Sequence, residues 1–132
     1  MVEEALVKAA ITAMGRAYAP YSKFPVGAAI LDQDGAIHVG ANIENAAYPV
    51  GNCAEASAIA AMIMAGRKHI TKIAVAGGDG ELLCTPCGAC RQRIREFAAA
   101  ETPVLVCGPE GLQHSFTLAE LLPASFGPEN LA

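Results

Sequence analysis

Thr85-Pro86-Cys87-Gly88-Ala89-Cys90-Arg91 is the stretch that most narrows what this chain can fold into. It joins a loop of special residues to a helix-like run that continues through Arg95 and Phe97. Two thiols three residues apart on the first turn of a helix share one face and can grip one ion. Pro86 suits a helix start, where its missing N–H would go unpaired anyway. The positive end of the helix dipole also favours thiolate over thiol. Two sulfurs are only half of a zinc site, so further donors must come from elsewhere in the chain. Asn52-Cys53-Ala54-Glu55 is the evident source, because it opens a second apolar helical run.

The chain has five cysteines, an odd number. Its start, Met1-Val2-Glu3-Glu4, lacks the basic segment of a secretion signal, and no apolar run is long enough to span a bilayer. A cytoplasmic protein is expected, in which cysteines serve a metal or catalysis rather than disulfides. With nine basic against thirteen acidic residues, a net charge of −4 and no run of Lys or Arg, there is no basic stripe for a nucleic-acid backbone. The composition is 53% hydrophobic and 17% charged, which is rich for a small monomer, so apolar surface at subunit contacts is expected. At 132 residues the simplest organisation is one domain spanning residues 1–132.

Helical spacing of Leu6, Ala9, Ala10, Ala13, Met14 and Ala17 predicts an amphipathic helix over Glu3–Ala17. Tyr18-Ala19-Pro20-Tyr21-Ser22-Lys23-Phe24-Pro25 breaks it with two prolines and three aromatics, rings that either pin the loop to the core or stack on a flat ligand. Val26–Leu31 reads as a strand, Asp32-Gln33-Asp34-Gly35 as a hairpin turn and Ile37–Ile43 as the partner strand. Asn42-Ile43-Glu44-Asn45 then gathers polar side chains at a strand end, either as a solvated loop or as a ligand contact. Cys53–Ala65 is apolar nearly all round, so that helix is expected to be buried on every side, at the heart of an oligomer. Strands follow at Ile73–Ala76, Pro103–Cys107 and Gln113–Phe116, and a short helix at Leu118–Leu122. Alternation after the hairpin predicts an α/β sandwich around a mixed sheet.

Cys53, Cys87 and Cys90, taken as three ligands, leave a fourth position open, the pattern of a catalytic rather than a structural zinc. Water there can ionise near neutral pH. Glu55, beside Cys53 but not needed as a ligand, is available to move its proton. A tension remains, because residues two apart on a helix do not face each other and Glu55 and Cys53 can converge only at the open helix mouth.

Cys53-Ala54-Glu55 followed by Pro86-Cys87-Gly88-Ala89-Cys90 resembles the signature of the zinc nucleoside deaminases. Ala19-Pro20-Tyr21-Ser22-Lys23-Phe24, Asn42-Ile43-Glu44-Asn45-Ala46 and Leu121-Leu122-Pro123 with Phe126 extend the resemblance, over nearly the whole chain, to the small homotetrameric cytidine deaminases. The resemblance implies a three-layer α/β/α sandwich with a mixed five-stranded sheet, and hydrolysis of cytidine and deoxycytidine to uridine and deoxyuridine with release of ammonia. It also implies one zinc per subunit on Cys53, Cys87 and Cys90, with Glu55 shuttling protons. Phe24 would stack on the base, Ala54 would contact the base edge through its backbone, and Asn42 and Glu44 would bind the ribose hydroxyls. Phe126, with Tyr48 near a shared boundary, would come from a neighbouring subunit, so that active sites are shared across the tetramer. The partner is then a small nucleoside, with no nucleic acid and no membrane.

One residue departs from the pattern. The three-cysteine relatives often carry Arg after the Glu, where this chain has Ala56. Three thiolates on Zn²⁺ leave a net charge of about −1, which weakens the metal as a Lewis acid. The two helix dipoles and Arg91 are the candidates to offset it. Cys84, Cys87 and Cys90 also spell a C-x-x-C-x-x-C run, which a cluster or a closed four-cysteine zinc could use, but such a site would leave Glu55, the Asn42–Asn45 loop and Phe126 without a role. Cys84 and Cys107 read instead as small buried thiols, and His38, His69 and His114 as surface or sheet residues. Deamination of an aminopyrimidine antibiotic is the nearer rival, and the ribose-type loop argues against it.

Overall fold

The computed structural model describes residues 1–132. Its sheet has the order β2-β1-β3-β4-β5. The strands are β1 (Val26–Asp32), β2 (Ile37–Ala41), β3 (Ile70–Gly77), β4 (Pro103–Gly108) and β5 (Gly111–Thr117). β3 and β4 run parallel and every other neighbouring pair is antiparallel, so the sheet is mixed, as expected. Helix α1 (Val2–Met14) lies on one face. Helices α2 (Ala54–Met64), α3 (Gly88–Arg95) and α4 (Leu118–Leu121) belong to the other.

Strand alternation divides the core accordingly. Leu6 and Ala10 of α1 pack on Ala29, Ala74, Ala76, Leu105 and Cys107. Ala58, Ile59 and Met62 of α2 and Ile94 of α3 pack on Ala28, Ile30, Ile73, Val75 and Val104. Each fully buried Leu, Ile, Val or Met among them contributes roughly 2 kcal/mol of transfer free energy. Two glycines set the layer spacing. A Cβ on Gly27 would lie 2.2 Å from the Ala10 carbonyl oxygen, and one on Gly40 would lie 2.4 Å from the Ala58 nitrogen. α1 and α2 therefore rest directly on sheet backbone, from opposite sides.

The element boundaries differ from the sequence expectation for local reasons. α1 stops at Met14, and the chain tightens through Arg16 N–H to Ala13 O at 2.9 Å so that Tyr18 N–H can reach Asn42 O, also at 2.9 Å. β2 ends at Ala41 because the Asn42 side chain leaves the ladder and accepts from Val26 N–H at 2.9 Å. β3 begins three residues before the predicted Ile73, since Thr71 and Lys72 are polar yet still belong to the strand. Lys72 also pairs with Glu3 of α1 at 3.0 Å. α2 is not buried on every side: Ile63 and Met64 are 40% and 86% exposed, so its apolar surplus faces outward in the single chain.

At the hairpin end of β1, Asp32 closes the strand and is only 1% exposed. Its Oδ1 accepts from the backbone N–H of Asp34 at 2.8 Å and of Ala36 at 3.0 Å. Its Oδ2 lies 2.6 Å from His38 Nε2, and Arg67 Nε stands 3.8 Å away. Burial pushes the carboxyl upward, but the bonds from His38 and the two amides outweigh it and hold it below the usual aspartate range. His38 is thus a sheet histidine, as the sequence suggested.

Candidate active site and metal centre

α2 and α3 both begin beside the same point. Cys53 is the N-cap of α2 and Cys87 the N-cap of α3, each in extended backbone conformation, and Cys90 is the third residue of α3. Their three sulfurs lie within 4.8 Å of one another. A tetrahedral zinc with Zn–S bonds of about 2.3 Å would separate its sulfurs by roughly 3.8 Å, so the donor set fits that ion. No fourth Cys, His or carboxylate joins the group. Pro86 stands one residue before the N-cap rather than inside the helix, and is buried.

Each sulfur has a different setting. Burial acts to raise Cys87, yet the amides of Cys90 and Ala89 at the open helix end prevail and hold it below the ordinary thiol value. Cys53 is raised, chiefly by burial. Cys90 is fully buried and is raised strongly, by burial first and then by the charges of Glu55 and Cys53. Without a cation the three resist joint ionisation, and a divalent ion resolves that conflict.

Glu55 is the second residue of α2 and is 4% exposed. Burial raises its carboxyl above the usual range, while its own amide, the Cys90 thiol and Arg93 act in the opposite direction. The tension anticipated between Glu55 and Cys53 is resolved because Cys53 is not in the helix proper: as the N-cap it leaves the 3.6-residue spiral. Ala54, the first helical residue, is buried between them.

The other predicted contacts divide into groups. Asn42 Oδ1 takes Val26 N–H, and Nδ2 donates to Phe24 O at 3.0 Å, so Asn42 and Phe24 are joined. Phe24 itself is 46% exposed. The Glu44 carboxylate accepts from the amides of Tyr21 at 3.0 Å and Ser22 at 3.1 Å and from the Ser22 hydroxyl. These bonds, the Ser22 hydroxyl foremost, hold Glu44 below the usual glutamate range. Glu44 and Tyr48 line one cavity of about 320 Å³ together with Tyr21, Ser22, Asn45 and Gly51. Phe24 lines a neighbouring cleft with Gly78 and Leu82, and the three cysteines line neither. Phe126 stands apart, 57% exposed, its carbonyl held at 2.8 Å by Gln92 Nε2 on α3.

Two expectations need correction or completion. Arg91 does not face the sulfurs: its guanidinium donates to Pro86 O at 2.7 Å, Leu121 O at 2.8 Å and Thr85 Oγ1 at 3.1 Å. The cation at the sulfurs is Arg93, whose Nη1 reaches Cys90 Sγ at 3.4 Å. The three-residue spacing from Cys90 was the available signal for it. Ser22, part of the Ala19–Phe24 motif but given no role by the sequence, holds Glu44 through its amide and hydroxyl. Cys84, with its thiol raised to about 11 mainly by burial, packs against Gly77 and stays outside the group of three. Cys107 is a buried thiol of β4, likewise raised to about 11 by burial.

Comparison with known proteins agrees with this geometry. The cytidine and deoxycytidylate deaminase zinc-binding region, as a family model, matches residues 1–106. A cytidine deaminase of Sporosarcina psychrophila is 44% identical over 98% of this chain and 94% of its own length. One from Halalkalibacterium halodurans is 44% identical over 99% of this chain and 98% of its own. The crystal structure of cytidine deaminase from Burkholderia pseudomallei superposes with a TM-score of 0.88 at 39% identity, covering 96% of this chain and all of that one. The mixed sheet and its thiol-lined helix starts thus define a zinc-dependent nucleoside deaminase scaffold. The chain belongs to the cytidine deaminase family.

Proposed function

We propose that this protein hydrolyses cytidine and deoxycytidine to uridine and deoxyuridine, releasing ammonia, with one zinc per subunit on Cys53, Cys87 and Cys90. Zinc, when bound, supplies the Lewis acidity that makes water nucleophilic near neutral pH. Glu55 takes one proton of the attacking water and passes it to the pyrimidine ring nitrogen. It then takes the remaining proton of the added hydroxyl and delivers it to the departing amine, so that the carbonyl forms as ammonia leaves. A buried carboxyl with raised proton affinity suits both tasks. Phe24 stacks on the base and the Ala54 amide contacts its edge. Asn42 and Glu44 fix the ribose, Asn42 through the amide hydrogen that it does not give to Phe24.

The exposed Phe126, Tyr48, Ile63 and Met64 support a homotetramer in which Phe126 and Tyr48 complete a neighbour's site. The whole chain serves as one catalytic domain in the cytoplasm, acting on free nucleosides rather than nucleic acid. No helix is long and apolar enough to cross a membrane.

The observation that carries this reading is the convergence of three sulfurs beside one buried carboxylate. Its test is metal analysis of the purified protein together with the fall in cytidine absorbance and stoichiometric ammonia. One zinc per chain and equal loss of amine and gain of uridine are expected; a zinc-bound protein inert on both nucleosides would refute it.

A further inference from the structure

Charge balance at the metal centre is unevenly provided for. The sulfur of Cys87 faces the amides of Ala89 and Cys90, and Cys53 sits at the start of α2, so each has a helix N-terminus behind it. Cys90 is inside the first turn of α3, and its fully buried sulfur instead faces the carboxylate of Glu55 and the other two thiols. Ala56, following Glu55, brings no charge. Arg91 directs its guanidinium to Pro86, Leu121 and Thr85 and makes no hydrogen bond to a sulfur. Arg93, three residues beyond Cys90 and on the same helix face, reaches that sulfur at 3.4 Å.

We propose that Arg93 is a tuning residue of the metal centre: its hydrogen bond draws electron density from the Cys90 thiolate and so sustains the Lewis acidity that a three-thiolate site would otherwise lack. The inference rests on the deaminase reading above and gives a named residue the duty that Ala56 cannot perform. Arg93 acts through Cys90 and has no contact with substrate to make. An N–H···S bond stabilises the sulfur lone pairs, weakens their donation to the metal and leaves that metal more electrophilic. Its outward position on α3 means that the side chain can be changed without disturbing the core.

The test uses Arg93→Ala and Arg93→Lys in the full-length protein, both zinc-loaded and with Co²⁺ in place of zinc. Arg93→Ala is expected to lower kcat about tenfold, a typical cost of losing an outer partner of a metal ligand, with KM within about twofold. The thiolate-to-cobalt charge-transfer bands should move to lower energy, since a sulfur relieved of its hydrogen bond gives up electrons more readily. Arg93→Lys should recover part of both. Unmoved bands in Arg93→Ala overturn the proposal whether or not kcat falls, because a purely structural role would leave the sulfurs untouched. A wild-type protein with thiolate–cobalt bands but no deamination would overturn the activity reading, while the band shift would still decide whether Arg93 tunes Cys90.

Discussion

Two carboxylates are buried in this chain, Glu55 and Asp32, and they are held in opposite ways. Asp32, at the hairpin end of the sheet, receives two backbone amides on one oxygen and His38 on the other, with Arg67 nearby. Glu55, at the mouth of α2, has its own amide and the Cys90 thiol, a poor donor, against burial, with Arg93 acting only through its charge, and its proton affinity rises. Burial pushes both upward, and the count of strong donors decides the outcome. A saturated carboxylate is a structural anchor. An under-solvated one, beside a place for a cation, suits the proton-carrying role proposed for Glu55.

The largest expected effect breaks the comparison at its active end. Glu55→Gln keeps the volume and removes the titration, so kcat should fall by about 10³-fold or more. Thermal unfolding should show a midpoint no lower than the wild type, because a carboxyl burdened by desolvation has been replaced by a neutral amide. Steady-state turnover and calorimetry on one preparation check both halves. A variant that retained turnover, or that melted early, would erase the distinction from Asp32.

Asp32→Ala should do the reverse. Removing it leaves two amides and His38 without their acceptor, though Arg67 keeps Asp34 at 2.6 Å. The loss is on the order of 3 kcal/mol, while turnover per folded molecule stays within about twofold. The pH dependence follows from linkage. The Asp32 carboxyl is depressed in the fold, so its contribution is fully present above the unfolded carboxylate value of about 4. It disappears as pH falls through the lower folded value. Urea unfolding of wild type and variant from pH 7 downward should therefore show the stability gap closing in acid. A gap that is constant with pH would mean that packing, not charge, anchors this end.

The same contrast shows what could be read from the sequence. The cysteine spacing, the helix starts and the strand–helix alternation were legible because they are local: thiols three apart and a break at Pro86 need no tertiary knowledge. Asp32 read as part of a turn, since its role depends on His38 folding back across the hairpin. Arg91 drew attention as the neighbour of Cys90, yet successive residues on a helix point about 100° apart, and Arg93 is the one on the sulfur's face. The polar start of β3 was hidden for a related reason. Lys72 belongs there because β1 pairs with it and Glu3 of α1 neutralises it, facts of the assembled sheet rather than of the pattern.

Glu44 sharpens the comparison as an intermediate case, a partly exposed carboxylate that is both saturated and proposed to meet substrate. Its oxygens are held by the Tyr21 and Ser22 amides and the Ser22 hydroxyl, and Ser22 Oγ in turn accepts from Phe24 N–H at 3.0 Å. Between them Lys23 adopts φ +60, a conformation that an ordinary side chain avoids, so the loop is fixed by these bonds rather than by intrinsic preference. Ser22 thereby links the carboxylate proposed to bind the sugar to the ring proposed to stack on the base. Ser22→Ala leaves the two amides in place and should raise KM for cytidine about three- to tenfold, with kcat within twofold. 1-Methylcytosine, which lacks the sugar, should show an unchanged kcat/KM if Ser22 acts through Glu44 alone, and a parallel loss if it acts through Phe24. An equal response to both substrates would make Glu44 a second structural anchor, like Asp32, and leave Glu55 as the one carboxylate in the chain set aside for chemistry.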